Sequence, residues 1–182
     1  MSVYIHQCAA IMEKVAITDA CIFIDLYELQ LLTHFFEMEL EVHTTINVMN
    51  ELITEQRQQL QVYHSVKKLT IHIAGEVDQK IIRLNNYPRS LSESDCSVLY
   101  FAEKHNAILL SSDKVVRNTA KRRSIDYHGM LWIFDRLVAA GMLNRREAGN
   151  KLQQLIRSNI VFQNNRELVA EMEKRLAAWG DG

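Results

Sequence analysis

Ala107-Ile108-Leu109-Leu110-Ser111-Ser112-Asp113-Lys114 is the stretch on which the reading of the fold turns. Its opening is a short, wholly apolar run, the form taken by a strand buried on both faces. The run stops at two serines and an aspartate, and a basic segment from 114 to about 123 then takes up helical spacing. Strands and helices alternating in this way build βαβ units and a parallel sheet.

The same alternation extends in both directions. Toward the N-terminus, Ser92 is placed to cap a helix running to about 105, with Val98, Leu99, Phe101 and Ala102 at its apolar positions. Residues 69–73 alternate as a strand, and 76–84 have helical period up to Asn85-Asn86-Tyr87-Pro88, which holds the only proline. Residues 41–44 form a further strand, and Thr45 caps a long helix expected over 46 to about 66. Residues 15–18 are the first strand, Asp19 lies in the loop after it, and an amphipathic helix is expected over 22–36. Toward the C-terminus, 125–127 suit a last short strand and 130–139 a helix stopped at Gly141, with two more helices at about 145–156 and 166–179.

Bulk properties narrow the class. The 182 residues, 48% hydrophobic and 24% charged, suit one α/β domain with a real core and are too apolar for a disordered chain. A net charge of -1 excludes the broad basic field of a nucleic-acid coat protein, so any nucleic-acid contact is local. Cys8, Cys21 and Cys96 lack CxxC or Cys/His spacing, which argues against a disulfide framework or a zinc site and fits a reducing compartment. No window approaches the roughly 18 apolar residues of a membrane span, and no signal-like N-terminus is present, so a cytoplasmic protein without membrane partners is expected. Without repeats or Gly/Pro/Ser-rich linkers, the chain divides into an N-terminal extension (1–14), a core (15–140) and a C-terminal helical extension (141–182) packed on the same domain.

Open parallel sheets bind ligands beyond the carboxyl ends of their strands, so acids there are the first candidates. Asp19 follows the first strand and Asp113 follows 107–110; Asp95 lies in the first turn after Ser92, and Glu51 in the early turns after Thr45. Four carboxylates in one cleft repel one another unless cations neutralise them or protons bind. Magnesium and manganese prefer oxygen ligands, keep several waters and are held by one or two direct carboxylates, so four acids suit one or two such ions.

The segments Ile17-Thr18-Asp19-Ala20-Cys21-Ile22, Val48-Met49-Asn50-Glu51-Leu52, Leu91-Ser92-Glu93-Ser94-Asp95-Cys96-Ser97-Val98-Leu99 and Leu110-Ser111-Ser112-Asp113-Lys114 resemble, in order and spacing, the four motifs of PIN-domain ribonucleases, among them the VapC-like toxins. The resemblance covers roughly 15–140 and extends loosely to Trp132-Ile133-Phe134-Asp135 and Gly141-Met142-Leu143. It implies a PIN-like three-layer α/β/α fold with a central parallel sheet of about four to five strands, plus C-terminal helices. It also implies metal-dependent hydrolysis of RNA, with Asp19, Glu51, Asp95 and Asp113 as catalytic and metal-binding acids for Mg²⁺ or Mn²⁺. Ser111 matches the family's hydroxyl residue two positions before the last acid. A toxin role with an antitoxin protein as partner is the further implication. Two departures stand out: the segment before the first strand is longer than usual, and Cys21-Ile22-Phe23 replaces a small polar turn. Neither removes an acid.

Blander roles stand beside these. Asp95 suits a capping box with Ser92, Asp19 and Asp113 suit helix caps, and Glu51 suits a solvated helix face. Lys114, Arg117, Lys121, Arg122 and Arg123 form a basic run that is either a solvated face or a grip on the RNA backbone. Asp25 is expected on a helix surface. The histidines lack ligand spacing and are expected to be structural or exposed, with His43 the one to watch. Tyr100, Phe101, Trp132 and Phe134 are expected in the core, and the C-terminal apolar stripes pack on the domain or form a homodimer surface. The alternative function is a non-catalytic PIN-like module binding RNA or protein. A receiver-like domain fails because Thr70-Ile71-His72-Ile73-Ala74-Gly75 carries no acid, and no GxGxxG or GxxxxGK[ST] loop supports nucleotide hydrolysis.

Overall fold

The computed structural model describes residues 14–180; Cys8 and all but the last residue of the expected N-terminal extension lie outside them. Five parallel strands form one sheet: β1 (Lys14–Thr18), β2 (Leu40–Thr45), β3 (Leu69–His72), β4 (Ile108–Leu110) and β5 (Tyr127–His128). Their order is β3-β2-β1-β4-β5, with Thr18 opposite Leu110 at the centre. The chain leaves β1 toward β2 and leaves β4 toward β5, so the order reverses between β1 and β4. Such a reversal opens a crevice at the carboxyl ends of the two strands. Asp19 N–H extends the pairing beyond the strands by donating to Leu110 O at 3.0 Å.

β4 and the second half of β1 are enclosed: Ala16, Ile17, Leu109 and Leu110 have no exposed surface. Helices cover the sheet on both sides, giving the three-layer α/β/α arrangement. Across β1, β2 and β4 lies α6 (Glu93–Lys104), joined to β2 by a 2.7 Å hydrogen bond between Thr45 Oγ1 and Ser97 Oγ. α1 (Ala20–Glu28) and α2 (Leu32–Phe36) contribute Phe23, Phe35 and Phe36, whose rings meet edge-on or offset.

Two helices expected to be continuous are broken, and neither break carries a Gly or Pro signal. The 22–36 helix divides at Gln30, which takes φ 55; the reversal lets Leu29 and Leu31 both enter the core, at 1% and 0% exposure. The 46–66 helix divides into α3 (Ile46–Glu51) and α4 (Thr54–Ser65) through extended backbone at Leu52 and Ile53, and Gln56 Oε1 accepts from Ile53 N–H at 3.3 Å. Thr45 caps α3 as its sequence position suggested, accepting from Val48 N–H. The last strand falls on Tyr127–His128, where Leu110 finds its partner in His128, rather than on 125–127.

The remaining helices are α5 (Glu76–Leu84), α7 (Lys114–Arg122), α8 (Met130–Ala139), α9 (Arg145–Ser158), α10 (Ile160–Gln163) and α11 (Arg166–Gly180). Gly141, at φ 68, turns the chain out of α8. Leu152 and Leu155 of α9 join the core, Lys151 Nζ donates to Leu29 O at 2.7 Å, and Arg175 of α11 grips Asp135 of α8 through two bonds of 2.8 and 2.7 Å.

Candidate active site

Asp19 sits where β1 turns into α1, and its extended backbone (φ -81, ψ 161) lets the side chain cap the helix. Oδ1 accepts from Ala20 N–H at 2.7 Å, and Oδ2 accepts from Ser111 Oγ at 2.8 Å and from the Cys21 thiol at 3.3 Å. The residue is only 4% exposed. Burial raises its pKa; the Ser111 bond opposes this, and the charge of Asp95 adds to it. Burial also holds the Cys21 thiol well above its ordinary range, so it stays protonated and donates. The departure at Cys21 thus places a hydrogen-bond donor in the site, which sequence spacing alone did not reveal.

Ser111, fully buried after β4, links two acids. Its hydroxyl donates to Asp19 and accepts from Asp113 N–H at 3.1 Å. Asp113 is exposed and caps α7, its Oδ1 accepting from Val115 and Val116 N–H at 2.7 and 2.8 Å. Asp95 forms the reciprocal capping box with Ser92, Oδ2 accepting from Ser92 N–H at 2.8 Å while Asp95 N–H donates to Ser92 Oγ at 3.1 Å. Capping and site membership are compatible, because a cap fixes where a carboxylate points. Glu51 closes α3 and is exposed; loss of hydration raises its pKa first, then the charges of Asp19 and Asp95.

Asp19, Glu51 and Asp95 therefore feel one another's charge, and Asp113 is tied to them through Ser111. Among the described residues none of the four acids is ion-paired with a Lys, Arg or His. The buried hydroxyls of Thr18 and Ser112 flank the crevice without a hydrogen-bond partner among the described residues.

The basic run spreads along α7. Lys114 begins the helix beside Asp113. Arg117 lies against Tyr127, 5.3 Å from its ring centre, and close to Ser112: a side chain on Gly129 would stand 3.8 Å from both Arg117 Nη1 and Ser112 Oγ. Lys121 and Arg122 lie at the other end of the helix, roughly 12 Å from Asp113 at helical rise, and Arg122 bonds Thr119 Oγ1. Arg123 pairs with Glu103.

Other residues differ from expectation. Asp25 is not on a helix surface: it is 5% exposed and accepts from Asn159 Nδ2 at 3.0 Å, because α1 turns that face toward the C-terminal helices. His43 takes the structural of the two roles expected for the histidines, and is buried. Its Nδ1 shares a 3.0 Å hydrogen bond with His72 Nε2, its Nε2 meets Glu41, and His105 and Phe101 stack on His72. Tyr100, Phe101 and Phe134 are core residues as expected, whereas Trp132 is half-buried and stacks on His128.

The five-stranded parallel sheet covered by helices on both faces is consistent with a PIN-like fold. The PIN-domain family model DUF3368 matches residues 15–176, and the chain belongs to this family. The match runs well past 140 and takes in α9 and most of α11. No curated protein matches the sequence. PIN domains are generally nucleases acting on nucleic acids and usually use divalent metals. Among the described residues, no three His, Cys, Asp or Glu side chains stand close enough to hold an ion by themselves. The donor set nonetheless fits magnesium or manganese, which take oxygen ligands and need only one or two direct carboxylates, water filling the rest. Among the described residues, no helix is long and apolar enough to cross a membrane.

Proposed function

We propose that this chain is a Mg²⁺- or Mn²⁺-dependent endoribonuclease that hydrolyses phosphodiester bonds of single-stranded or structured RNA, with Asp19, Glu51, Asp95 and Asp113 as its catalytic and metal-holding set. The observation that carries the proposal is a buried Asp19 close enough to Asp95, and a Glu51 close enough to both, for their charges to add to the effect of lost hydration, with no ion pair to a cationic side chain among the described residues. Charge in such a place calls for an external cation. When bound there, a divalent ion supplies an activated water and neutralises charge on the phosphoryl oxygens. The chain's own part is positional. Ser111 and Cys21 orient Asp19, the helix caps fix Asp95 and Asp113, and Lys114 and Arg117 hold the RNA backbone beside them, with Lys121 and Arg122 farther along the same helix.

The test is RNA cleavage by the purified chain with and without Mn²⁺. Cleavage that requires the metal and is lost in Asp19→Asn and Asp113→Asn is expected; undiminished cleavage in both variants ends the proposal. RNA binding without metal-dependent turnover identifies the non-catalytic module instead. The proposal extends to a toxin role. Growth arrest on expression, absent with Asp19→Asn and relieved by a co-expressed antitoxin protein, is the expected outcome, and normal growth with active enzyme removes it.

A further inference from the structure

Beside the acids lies a cavity of about 600 Å³, within the roughly 300–1,000 Å³ range of small-molecule sites. Its walls are the start of α3, the end of β3, the inner side of α5, the 86–91 loop and the first turns of α6. Ser92, Glu93 and Cys96 of its lining belong to the helix turn that presents Asp95, so the cavity adjoins the candidate active site, although none of the four acids lines it.

Its lining has three chemistries. Pro88 and the Tyr87 ring, on which Arg123 also lies at 4.9 Å, offer flat surface, Ile46 and Ile82 add aliphatic walls, and Ile73 adds an apolar side chain that is 73% exposed. Asn47 and Asn86 carry amides able both to donate and to accept. Arg83 and Arg89 are exposed at the rim and form no ion pair among the described residues. The one carboxylate in the lining, Glu93, lies on the α6 side. Apolar faces for stacking, amides for an edge and guanidinium groups for a phosphate match the parts of one nucleotide. Single-stranded RNA is recognised by splaying its bases into such places.

We infer that this cavity is a nucleotide subsite, taking one base of the RNA strand between the α3 start and α5 while Arg83 and Arg89 hold the adjoining phosphate. The inference rests on the nuclease reading and extends it, because it says where the strand lies as it crosses the acids.

The test is titration of the full chain, in EDTA so that nothing is cleaved, with adenosine, guanosine, cytidine and uridine 5′-monophosphates and with inorganic phosphate, followed by amide NMR shifts. At least one mononucleotide is expected to bind about tenfold or more tightly than phosphate, with shifts centred on 73–74 and 86–92. The Arg83→Ala/Arg89→Ala chain is expected to weaken mononucleotide binding about tenfold, and Ile73→Ser, a neutral change at an exposed position, to weaken the mononucleotide but not phosphate. Mononucleotides that bind no better than phosphate, or shifts confined to another surface, overturn the inference; so do folded variants that bind as the parent does. Failure of the nuclease reading shows separately, as RNA bound without metal-dependent cleavage or as cleavage undiminished in both Asp19→Asn and Asp113→Asn.

Discussion

The Ser111 hydroxyl stands between Asp19 Oδ2, to which it donates at 2.8 Å, and the Asp113 amide, from which it accepts at 3.1 Å. One buried oxygen thus fixes the relation between an acid after β1 and an acid after β4. Ser111→Ala is expected to cost roughly 1–3 kcal/mol of stability, the range for a hydrogen bond to a carboxylate, and about 10–100-fold in RNA cleavage, as for lost support of a metal ligand. Ser111→Thr should restore part of both. Full cleavage by the alanine variant, measured at saturating Mn²⁺, would show that the hydroxyl does not orient Asp19.

Asp19 is held against its preference for water, so its neutral isostere should fold better. In EDTA at neutral pH, Asp19→Asn is expected to melt a few degrees above the parent, at roughly 2–4 °C per kcal/mol for a chain of this size. Added Mn²⁺ should raise the parent's melting temperature through binding to the folded state and leave the variant's nearly unchanged. An equal metal-dependent rise in both places the ion elsewhere.

Buried Asp25 and half-buried His72 give stability opposing dependences on pH. Asp25 has its pKa pushed up from 3.8 to about 6 by burial, offset in part by Asn159. The unfolded chain therefore binds fewer protons between those values, stability falls as pH rises through the window, and the penalty above it is at most about 3 kcal/mol. His72 is lowered from 6.5 to about 4, first by burial and then by His43, His105 and Lys104. Its neutral form is the folded one, so its contribution is present above 6.5 and lost as pH falls toward 4. Urea unfolding of Asp25→Asn should show higher stability above pH 6 and a steeper loss on acidification. His72→Phe should flatten the acid side. A parent-like pH profile in either variant would remove that group from the account.

If the strand is held beside Asp113, only the near end of α7 matters. Arg117→Ala is expected to raise KM for RNA several-fold and to reduce the salt dependence of binding by about one charge, whereas Lys121→Ala should change neither. Equal effects of the two substitutions would mean that the whole helix face grips the strand.

The alternation of strands and helices and the parallel sheet were legible because they follow from local features: apolar runs ending in polar residues, and caps such as Ser92 and Thr45. What escaped reading depends on partners distant in sequence. The breaks at Gln30 and at Leu52–Ile53 come from core packing and from Gln56, not from helix-breaking residues. Asp25 reads as a surface acid until α9 ends in Asn159 beside it, 134 residues later. The three histidines meet only because β2, β3 and the end of α6 converge. The nucleotide-sized cavity likewise has no motif, since its walls come from five separate segments.

Pairing of Thr18 with Leu110 and the Ser111–Asp19 hydrogen bond span 92 residues of chain. Contacts of such separation form late, after the loop-closure entropy of everything between them has been overcome. A ribosome that has released β1, β2 and β3 has therefore made a sheet edge but no crevice, because the second wall is still inside the exit tunnel. Any activity that needs Asp19 and Asp113 together is switched on only when β4 docks, so a chain cut after β3 holds Asp19 and Glu51 but neither Asp95, Asp113 nor the crevice.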